Sequence, residues 1–451
     1  MHKIRALCFL FVLILACLPV NGFAALPSYD VTDIGSVLFS SGSTGTYSTA
    51  YGVYYNNAGT IDVTGYYQAT APSLTNSGSS ATGFLYSVPT SALGTSVGTV
   101  ANIGTTAVDG GFQPTNNIGM AISSNGLITG LEGDSSNPNS FNANNYRSFA
   151  STVTTPSTST VVAAGYNTQA AGINSSGVVA GQMDFGGTQH AFVAVGSGAP
   201  VDLGTANPGG PALTSFAQGI NNANQVVGQD TWNGVQQATL WTVSSNGAKL
   251  SETNLGAGTT NPSMAKAINN AGNVIVGFAY GTANGVTSYQ PSDWILGSGG
   301  TWTENFLNLS NLIPQGDMLS SDLGSYSFSV NDDGLIVGQY SLQGSADPSE
   351  AFIYATNAVD GFAADTAYDL SSLISDDPFS YLDAAAFITG SDIPGINDAI
   401  VGEGVDSKGD TQAFLAWDPS DPVSTPEPAT LGLMGLGFLG MAFARRMARS
   451  W

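Results

Sequence analysis

Cysteine is nearly absent. The chain has only Cys8 and Cys17, both in the first 24 residues. A body freed of that segment makes no disulfide and no thiolate metal site. Histidine is as scarce, with His2 and His190 alone, which rules out a three-histidine zinc centre. Nine Lys and Arg face 32 Asp and Glu, for a formal net charge of −23. Lys3 and Arg5 lie at the start and Arg445, Arg446 and Arg449 at the end, so the body keeps only Arg147, Lys249, Lys266 and Lys408. Such a body repels nucleic acid and anionic lipid, because phosphate contacts need Lys and Arg. It suits a soluble extracellular setting, and its charge attracts cations or basic partners. Charged residues make up 9% of the chain, too few for long exposed helices. No GxxxxGK[ST] phosphate loop occurs. The one GxGxxG, Gly435-Leu436-Gly437-Phe438-Leu439-Gly440, lies in an apolar C-terminal run with no strand before it, and is no dinucleotide fingerprint.

What the chain has in abundance is repetition. One pattern recurs seven times: an apolar strand ending in Ile-Asn, a tight turn, and a second strand ending in Val-Val-Gly or a variant. Clear copies are Ala171-Gly172-Ile173-Asn174 with Val178-Val179-Ala180-Gly181, Gly219-Ile220-Asn221 with Val226-Val227-Gly228, and Ala267-Ile268-Asn269 with Ile275-Val276-Gly277. Two more are Ser329-Val330-Asn331 with Ile336-Val337-Gly338, and Gly395-Ile396-Asn397 with Ile400-Val401-Gly402. In the last the turn reads as shortened. Weaker copies are Ala121-Ile122-Ser123 with Ile128-Thr129-Gly130, and Val53-Tyr54-Tyr55-Asn56 with Val63-Thr64-Gly65. The closing glycines stand 65, 51, 47, 49, 61 and 64 residues apart, the length of a four-stranded propeller blade with variable loops. Apolar residues come in short runs broken by Asn, Asp and Gly, not at helical spacing. Turns such as Asn174-Ser175-Ser176-Gly177 carry the residues that supply positive φ at a hairpin reversal.

A third strand follows in each unit: His190-Ala191-Phe192, Gln237-Ala238-Thr239, Glu350-Ala351-Phe352, Gln412-Ala413-Phe414 and, in weaker form, Asp293-Trp294-Ile295. A fourth carries Asp202-Leu203-Gly204, Asn254-Leu255-Gly256, Asn102-Ile103-Gly104 or Tyr368-Asp369-Leu370. The last unit lacks a fourth strand, whereas Tyr29-Asp30-Val31-Thr32-Asp33-Ile34-Gly35 is a fourth-strand motif with no unit before it. Seating one in the other closes the ring and removes an open sheet edge. The expectation is an all-β, seven-bladed β-propeller over residues 29–420, closed by its N-terminal strand. An open β-solenoid is the competing architecture.

Both ends read as addresses. Residues 1–24 combine Lys3 and Arg5, an apolar run from Leu7 to Leu18 and small residues at Gly22 and Ala24. That is the pattern of a secretory signal helix cleaved after Ala24 or Ala25. The alternative is a lipoprotein site at Cys17, which the large Leu15 fits poorly. At the other end a linker, 421–428, holds Pro426-Glu427-Pro428. The apolar segment 429–444 is short for a stable span but long enough for a transient transmembrane helix. The basic tail 445–451 opens with Arg445-Arg446, which holds it on the cytoplasmic side. This tripartite ending resembles the PEP-CTERM sorting signal of exopolysaccharide-producing Gram-negative bacteria. The resemblance implies recognition by a membrane exosortase, cleavage near Pro426-Glu427-Pro428, and release to the cell surface or matrix after transient anchoring. A plain C-terminal anchor is the alternative. The repeats themselves look like those of the HAF family of extracellular repeat proteins, the fullest copy running from Gly172 through His190-Ala191-Phe192 to Gly204. That resemblance implies an architecture and an extracellular setting, and no reaction.

Catalytic constellations are few. A Ser-His-Asp triad has only His190 to use, at a position where other units carry Gln or Glu, so it reads as a polar residue at a strand start. The dense carboxylates are Asp332-Asp333, Asp376-Asp377, and Asp406 with Asp410. A glycosidase needs two such groups about 5–10 Å apart across a cleft, whereas Asp332-Asp333 falls in a hairpin turn, where Asp serves local hydrogen bonds. Carboxylate-only sites favour calcium or magnesium. No loop here has EF-hand spacing, a looser calcium site on a blade loop stays open, and no other cofactor is expected. Gln182, Gln229 and Gln339, each after a second-strand Gly, either line a central channel and meet sugars or bond backbone between blades. Trp241, Tyr354, Trp417 and Tyr86 end the third strand, as a carbohydrate-stacking belt or as inter-blade core. The functional expectation is a secreted or surface-attached binding and structural protein of an extracellular polysaccharide matrix. Exosortase is its processing partner, nucleic acid is not a partner, and divalent cations bridge its acidic surface to anionic glycans. The competing readings are a carboxylate-dependent glycoside hydrolase or polysaccharide lyase, and a small-ligand sensor with its site at the channel mouth.

Overall fold

In the computed structural model the described residues run from Leu26 to Pro419, without 40–46, 57–58, 69–80, 95–97, 105–113, 135–145, 165, 205–212, 315–316, 321–323, 344–348, 376 and 390–395. The signal helix expected at 1–24 and the transmembrane helix expected at 429–444 lie outside them. Among the described residues no helix is long and apolar enough to cross a membrane.

The described strands form seven antiparallel sheets of four. In chain order the blades span 47–102 (blade 1), 114–162 (blade 2), 168–202 (blade 3), 216–254 (blade 4), 263–306 (blade 5), 326–369 (blade 6) and 379–419 (blade 7). Blade 7 supplies three strands, and its fourth is Asp30–Asp33, paired antiparallel with Thr411–Pro419 from Asp30↔Trp417 to Asp33↔Phe414. The protein is a seven-bladed propeller closed by its N-terminal strand. Each first strand touches the first strands of both neighbouring blades in an unbroken ring, so the first strands surround the axis and the fourth strands form the rim.

The apolar runs of the repeat are explained by the seams. Both faces of a propeller blade are covered, so strict in-out alternation gives way to continuous apolar residues. Val178 and Val179 are both fully buried, on opposite faces of one strand. The buried apolar side chains fall into seven clusters, one for each seam between blades. The leucine of Asp-Leu-Gly belongs to them: Ile34, Ile103, Leu203, Leu255, Leu307 and Leu370 are all buried.

The Gly and Asn of the repeat have separate physical reasons. Every first strand carries a β-bulge, an extra residue between, for example, Ala217 and Gly219. The kink pushes a first-strand carbonyl toward the second strand. A Cβ on Gly65, Gly130, Gly181, Gly228, Gly277, Gly338 or Gly402 would stand 1.9–2.1 Å from that oxygen. Only glycine fits there. The same glycines leave room for third-strand rings, since Phe84, Phe149, Phe192, Phe352 and Phe414 pair directly across from them. The turn Asn works twice. Its Oδ1 accepts the N–H that opens the second strand, as in Asn221 with Gln225 at 3.0 Å, and in three blades its Nδ2 donates to the neighbouring blade, whereas Asn269 Nδ2 stays in its own turn on Asn273 Oδ1 at 2.8 Å. Asn174 reaches Asn221 O at 3.1 Å, Asn221 reaches Asn269 O at 3.0 Å, and Asn331 reaches Thr389 O at 3.0 Å. One face of the disc is thus stitched blade to blade by side-chain amides.

Three registers differ from the sequence reading. In blade 7 the first strand, Phe379–Ile388, ends on Phe387-Ile388-Thr389, and Ile396 already belongs to the second strand, Ile396–Asp406. Thr389 plays the Asn part, its Oγ1 accepting from Ala399 N at 3.1 Å. The turn there is lengthened, not shortened. In blade 1 Gly52-Val53-Tyr54 stands where Gly-Ile-Asn does elsewhere, with Gly52↔Thr64 and Val53↔Val63, and the first strand continues to Asn56. In blade 5 Ser292, not Trp294, faces the second-strand Gly277. Any Ile-Asn near a turn satisfies the letters of the motif, but the bulge fixes the register, and the bulge residue is the one that varies.

Candidate functional site

The bulge residues of blades 1 to 7 are Tyr51, Met120, Ala171, Gln218, Lys266, Phe328 and Ala386, all half-buried on the strands around the axis. Beside them, on the second strands, stand the residues that follow each essential glycine: Tyr66, Leu131, Gln182, Gln229, Phe278, Gln339 and Glu403. These inner-wall residues comprise four aromatic rings, four amides, four aliphatic side chains, one ammonium and one carboxylate.

The carboxylate lies where blades 7 and 1 meet. Tyr47 Oη donates to Glu403 Oε2 at 2.8 Å, and the Tyr47 and Tyr51 rings lie 5.8 Å and 6.0 Å from Tyr66. Burial pushes the Glu403 carboxyl above its ordinary value; the Tyr47 hydrogen bond pulls against this and the charge of Asp383 adds to it. The ammonium lies across the blade 4–5 seam, where Lys266 Nζ donates to Gln218 Oε1 at 3.3 Å and sits 6.0 Å above the Phe278 ring. Neither cluster is flagged by any motif. The signal in the sequence is the letter two places before Ile-Asn, such as Gln218 and Lys266, and it is readable only once the bulge and the axis are known.

The sequence-named residues land elsewhere. His190 Nδ1 meets both carboxylate oxygens of Asp202 at 3.1 Å, its Nε2 meets Thr188 Oγ1 at 3.2 Å, and its ring stacks on Phe185. This has the outline of a triad, but the Thr188 hydroxyl donates to Phe185 O at 2.9 Å and so closes its own hairpin. The trio ties the third strand of blade 3 to the fourth. Blade 4 repeats the clip without histidine, as Asn254 Nδ2 donates to Gln237 Oε1 at 2.8 Å. Gln182 bonds Gln169 and Gln229 bonds Gln236, both within their own blades rather than to backbone of the next. Trp241, Tyr354 and Tyr86 are buried seam residues, with Trp294 as their counterpart in blade 5, whereas Trp417 is one position out of phase. They are core, not a belt. Asp332 Oδ1 accepts from Ala271 N at 2.9 Å, a bond from the blade 6 turn to the blade 5 turn and not the local turn bond expected of it. Among the described residues no group of three or more His, Cys, Asp or Glu is placed to hold a metal ion. Pro426, Glu427, Pro428, Arg445 and Arg446 lie outside the described residues.

The carboxyls share one feature. All those with a clear pKa displacement are raised, and burial is the first cause in each. Glu132, whose Oε2 is buried without a partner, is pushed up to about 7, with a Ser159 hydrogen bond and the Arg147 charge opposing. Asp293 is pushed up to about 6. Asp398 is fully buried, holds Asn331 Nδ2 on Oδ1 at 3.1 Å, leaves Oδ2 unpartnered, and is pushed up to about 8 by burial and the charges of Asp360, Asp333 and Asp418. A raised carboxyl pKa means that the folded protein binds more protons than the unfolded chain between the two values, so the contribution of these groups to stability is fully present below about pH 4 and is lost as pH rises through the folded pKa. The melting temperature should therefore be higher near pH 5 than near pH 8. Asp398→Asn should flatten the upper part of that profile. Differential scanning calorimetry across this range checks both, and a melting temperature that climbs toward pH 8 contradicts them.

The comparisons bear on the ends and on the architecture. A family described as "PEP-CTERM protein-sorting motif" matches residues 424–446. The chain ends in that sorting motif. Such motifs mark proteins exported to the cell surface or extracellular space and imply processing by an exosortase. No curated protein sequence matches the chain. Among solved structures, a protein of unknown function from Dyadobacter fermentans is 9% identical, covering 88% of this chain and 99% of its own with a TM-score of 0.41. The GH93 alpha-L-arabinofuranosidase of Fusarium graminearum, in complex with arabinobiose, is 10% identical over 87% of this chain and 97% of its own, at 0.37. A protein from Lactobacillus plantarum is 13% identical over 84% and 97%, at 0.35. Likenesses this distant say nothing of activity, and the propeller rests on its own strand pairing.

Proposed function

We propose that this is an exported binding and structural protein of an extracellular polysaccharide matrix, built on HAF-type repeats. In this reading Pro426, Glu427 and Pro428 are what the exosortase recognises, residues 429–444 anchor the chain transiently, and Arg445 and Arg446 keep the tail inside until cleavage. The observation that carries the binding role is the inner wall: aromatic rings beside side-chain amides, the chemistry that meets sugar faces and hydroxyls, on a rigid closed disc. Pull-down from native matrix with the secreted protein, together with a glycan array, should recover polysaccharide; failure to retain any glycan sinks the proposal. Intact-mass measurement reports both processing sites.

A hydrolase reading has one observation behind it. Burial and the charge of Asp383 raise the pKa of the Glu403 carboxyl, and glycoside cleavage uses an acid with a raised pKa together with a second carboxylate. Release of reducing ends in a polysaccharide screen, abolished by Glu403→Gln, would favour it over plain binding.

A further inference from the structure

Four basic residues remain in the body, and three are accounted for. Lys249 pairs with Glu252 at 2.6 Å, Arg147 stands directly across the ladder from Glu132, and Lys408 is exposed in the turn between Asp406 and Asp410. Lys266 is different. It is the bulge residue of blade 5, on the strand ring around the axis, and among the described residues no carboxylate pairs with it. Its contacts are the Gln218 amide and the Phe278 ring. Burial lowers its pKa from the ordinary lysine value. Phe278 meets Tyr326 edge-on at 4.8 Å, and Tyr326 stacks on Phe328 at 6.3 Å, so three aromatic rings run on from the ammonium into blade 6.

A half-buried ammonium lacking an anion is partly desolvated, and a bound carboxylate offsets that loss. Rings beside it offer apolar faces to a sugar ring, and the Gln218 amide offers a hydroxyl partner. The seam residues Trp241 and Tyr86 are buried and cannot do this. The acidic body, with four basic residues, repels anions elsewhere, so an acidic ligand gains most at this point.

We propose that Lys266, with Gln218, Phe278, Tyr326 and Phe328, forms a binding site for a carboxylate-bearing sugar, a hexuronate unit of an acidic polysaccharide. This rests on the matrix-binding reading for its biological setting, but its chemistry is separable. The body has only three lysines, so selective ¹³Cε-lysine labelling gives three resolvable side-chain signals. Titration with glucuronate should move the Lys266 signal and leave those of Lys249 and Lys408; glucose at the same concentration should move none. Lys266→Met keeps the length and apolar body of the side chain. It should weaken glucuronate binding about tenfold or more while leaving the melting temperature within a few degrees. Glucuronate affinity unchanged in Lys266→Met, or an equal response to glucose, overturns the site. Polysaccharide retention that survives Lys266→Met overturns the site and keeps the matrix reading. A Lys266 response to glucuronate with no retention on any polysaccharide does the reverse.

Discussion

Replacing Gly228 with alanine will cost the protein on the order of 3–5 kcal/mol and lower its melting temperature by about 5–10 °C. The added Cβ would stand 1.9 Å from Phe216 O and 2.9 Å from Ala217 Cα. Both obstacles are backbone, so no rotamer change relieves them. The first strand cannot retreat, because behind its bulge it lies against the next blade: a Cβ on Gly219 would already be 2.8 Å from Lys266 O. Backbone conformation is not the issue, since Gly228 is not among the glycines of positive φ. Two controls separate the causes. Gly299 has nothing within 4 Å and ordinary φ, so Gly299→Ala should change stability by less than about 0.5 kcal/mol. Gly204 has open space but φ of +71°, so Gly204→Ala should cost about 1 kcal/mol from backbone strain alone. Thermal melts should place Gly299→Ala highest, Gly204→Ala next and Gly228→Ala lowest. A Gly228→Ala protein as stable as Gly299→Ala would mean that the bulge is misplaced and that the repeat glycine is there for another reason.

That glycine also shows how much of the fold was legible in the sequence. Seven closing glycines at blade-length spacing gave the number of blades, and the unmatched Asp33-Ile34-Gly35 gave the closure, because a repeat that buries its faces only against neighbours must recur and must close. Register was less legible. Gly395-Ile396-Asn397 looks like the motif, yet Phe387-Ile388-Thr389 does its work. A threonine hydroxyl caps the turn as an asparagine oxygen does, and physics accepts the exchange where a letter pattern does not. The inner wall was hidden for a related reason. Half of the side chains there come from bulge positions, which the strand ladder skips, so no paired residue across the ladder constrains the choice. Tyr51, Gln218 and Lys266 therefore look like noise inside an ordered repeat. His190 stands out in the sequence by its rarity and Asp202 only as part of a fourth strand, and the bond between them explains both letters of the repeat at once. Gln237 and Asn254 make the same bond with neutral groups.

Removing residues up to Leu38 from the mature protein should abolish a single cooperative melt. The closing segment does more than add an edge strand. Tyr29 is fully buried between blades 6 and 7, where its N–H donates to Leu373 O at 2.8 Å, and Ile34 is fully buried between blades 7 and 1. Each burial contributes about 1.5–3 kcal/mol. The ladder from Asp30↔Trp417 to Asp33↔Phe414 goes with them, and Asp33 caps the short helix Ile34–Leu38 through Ser36 N at 2.9 Å. Loss of the segment leaves Thr411–Pro419 as a bare edge, the template on which chains pair with one another, so the truncated protein should also self-associate. Ile34→Asp tests one seam without removing the strand and should cost about 3–5 kcal/mol, because the carboxylate would enter an apolar cluster with Val401, Leu415 and Trp417 around it. Thr32→Ala, on the same strand but only half-buried, should change little. The decisive arm is complementation: a peptide of residues 26–38 added to the truncated protein should dock as the missing fourth strand and restore the melt, since the gap matches it in register and in both seams. A truncated protein that melts within about 2 °C of the full-length form, or a peptide that does not bind it, would mean that blade 7 is complete without the N-terminus and that closure of the ring lies elsewhere.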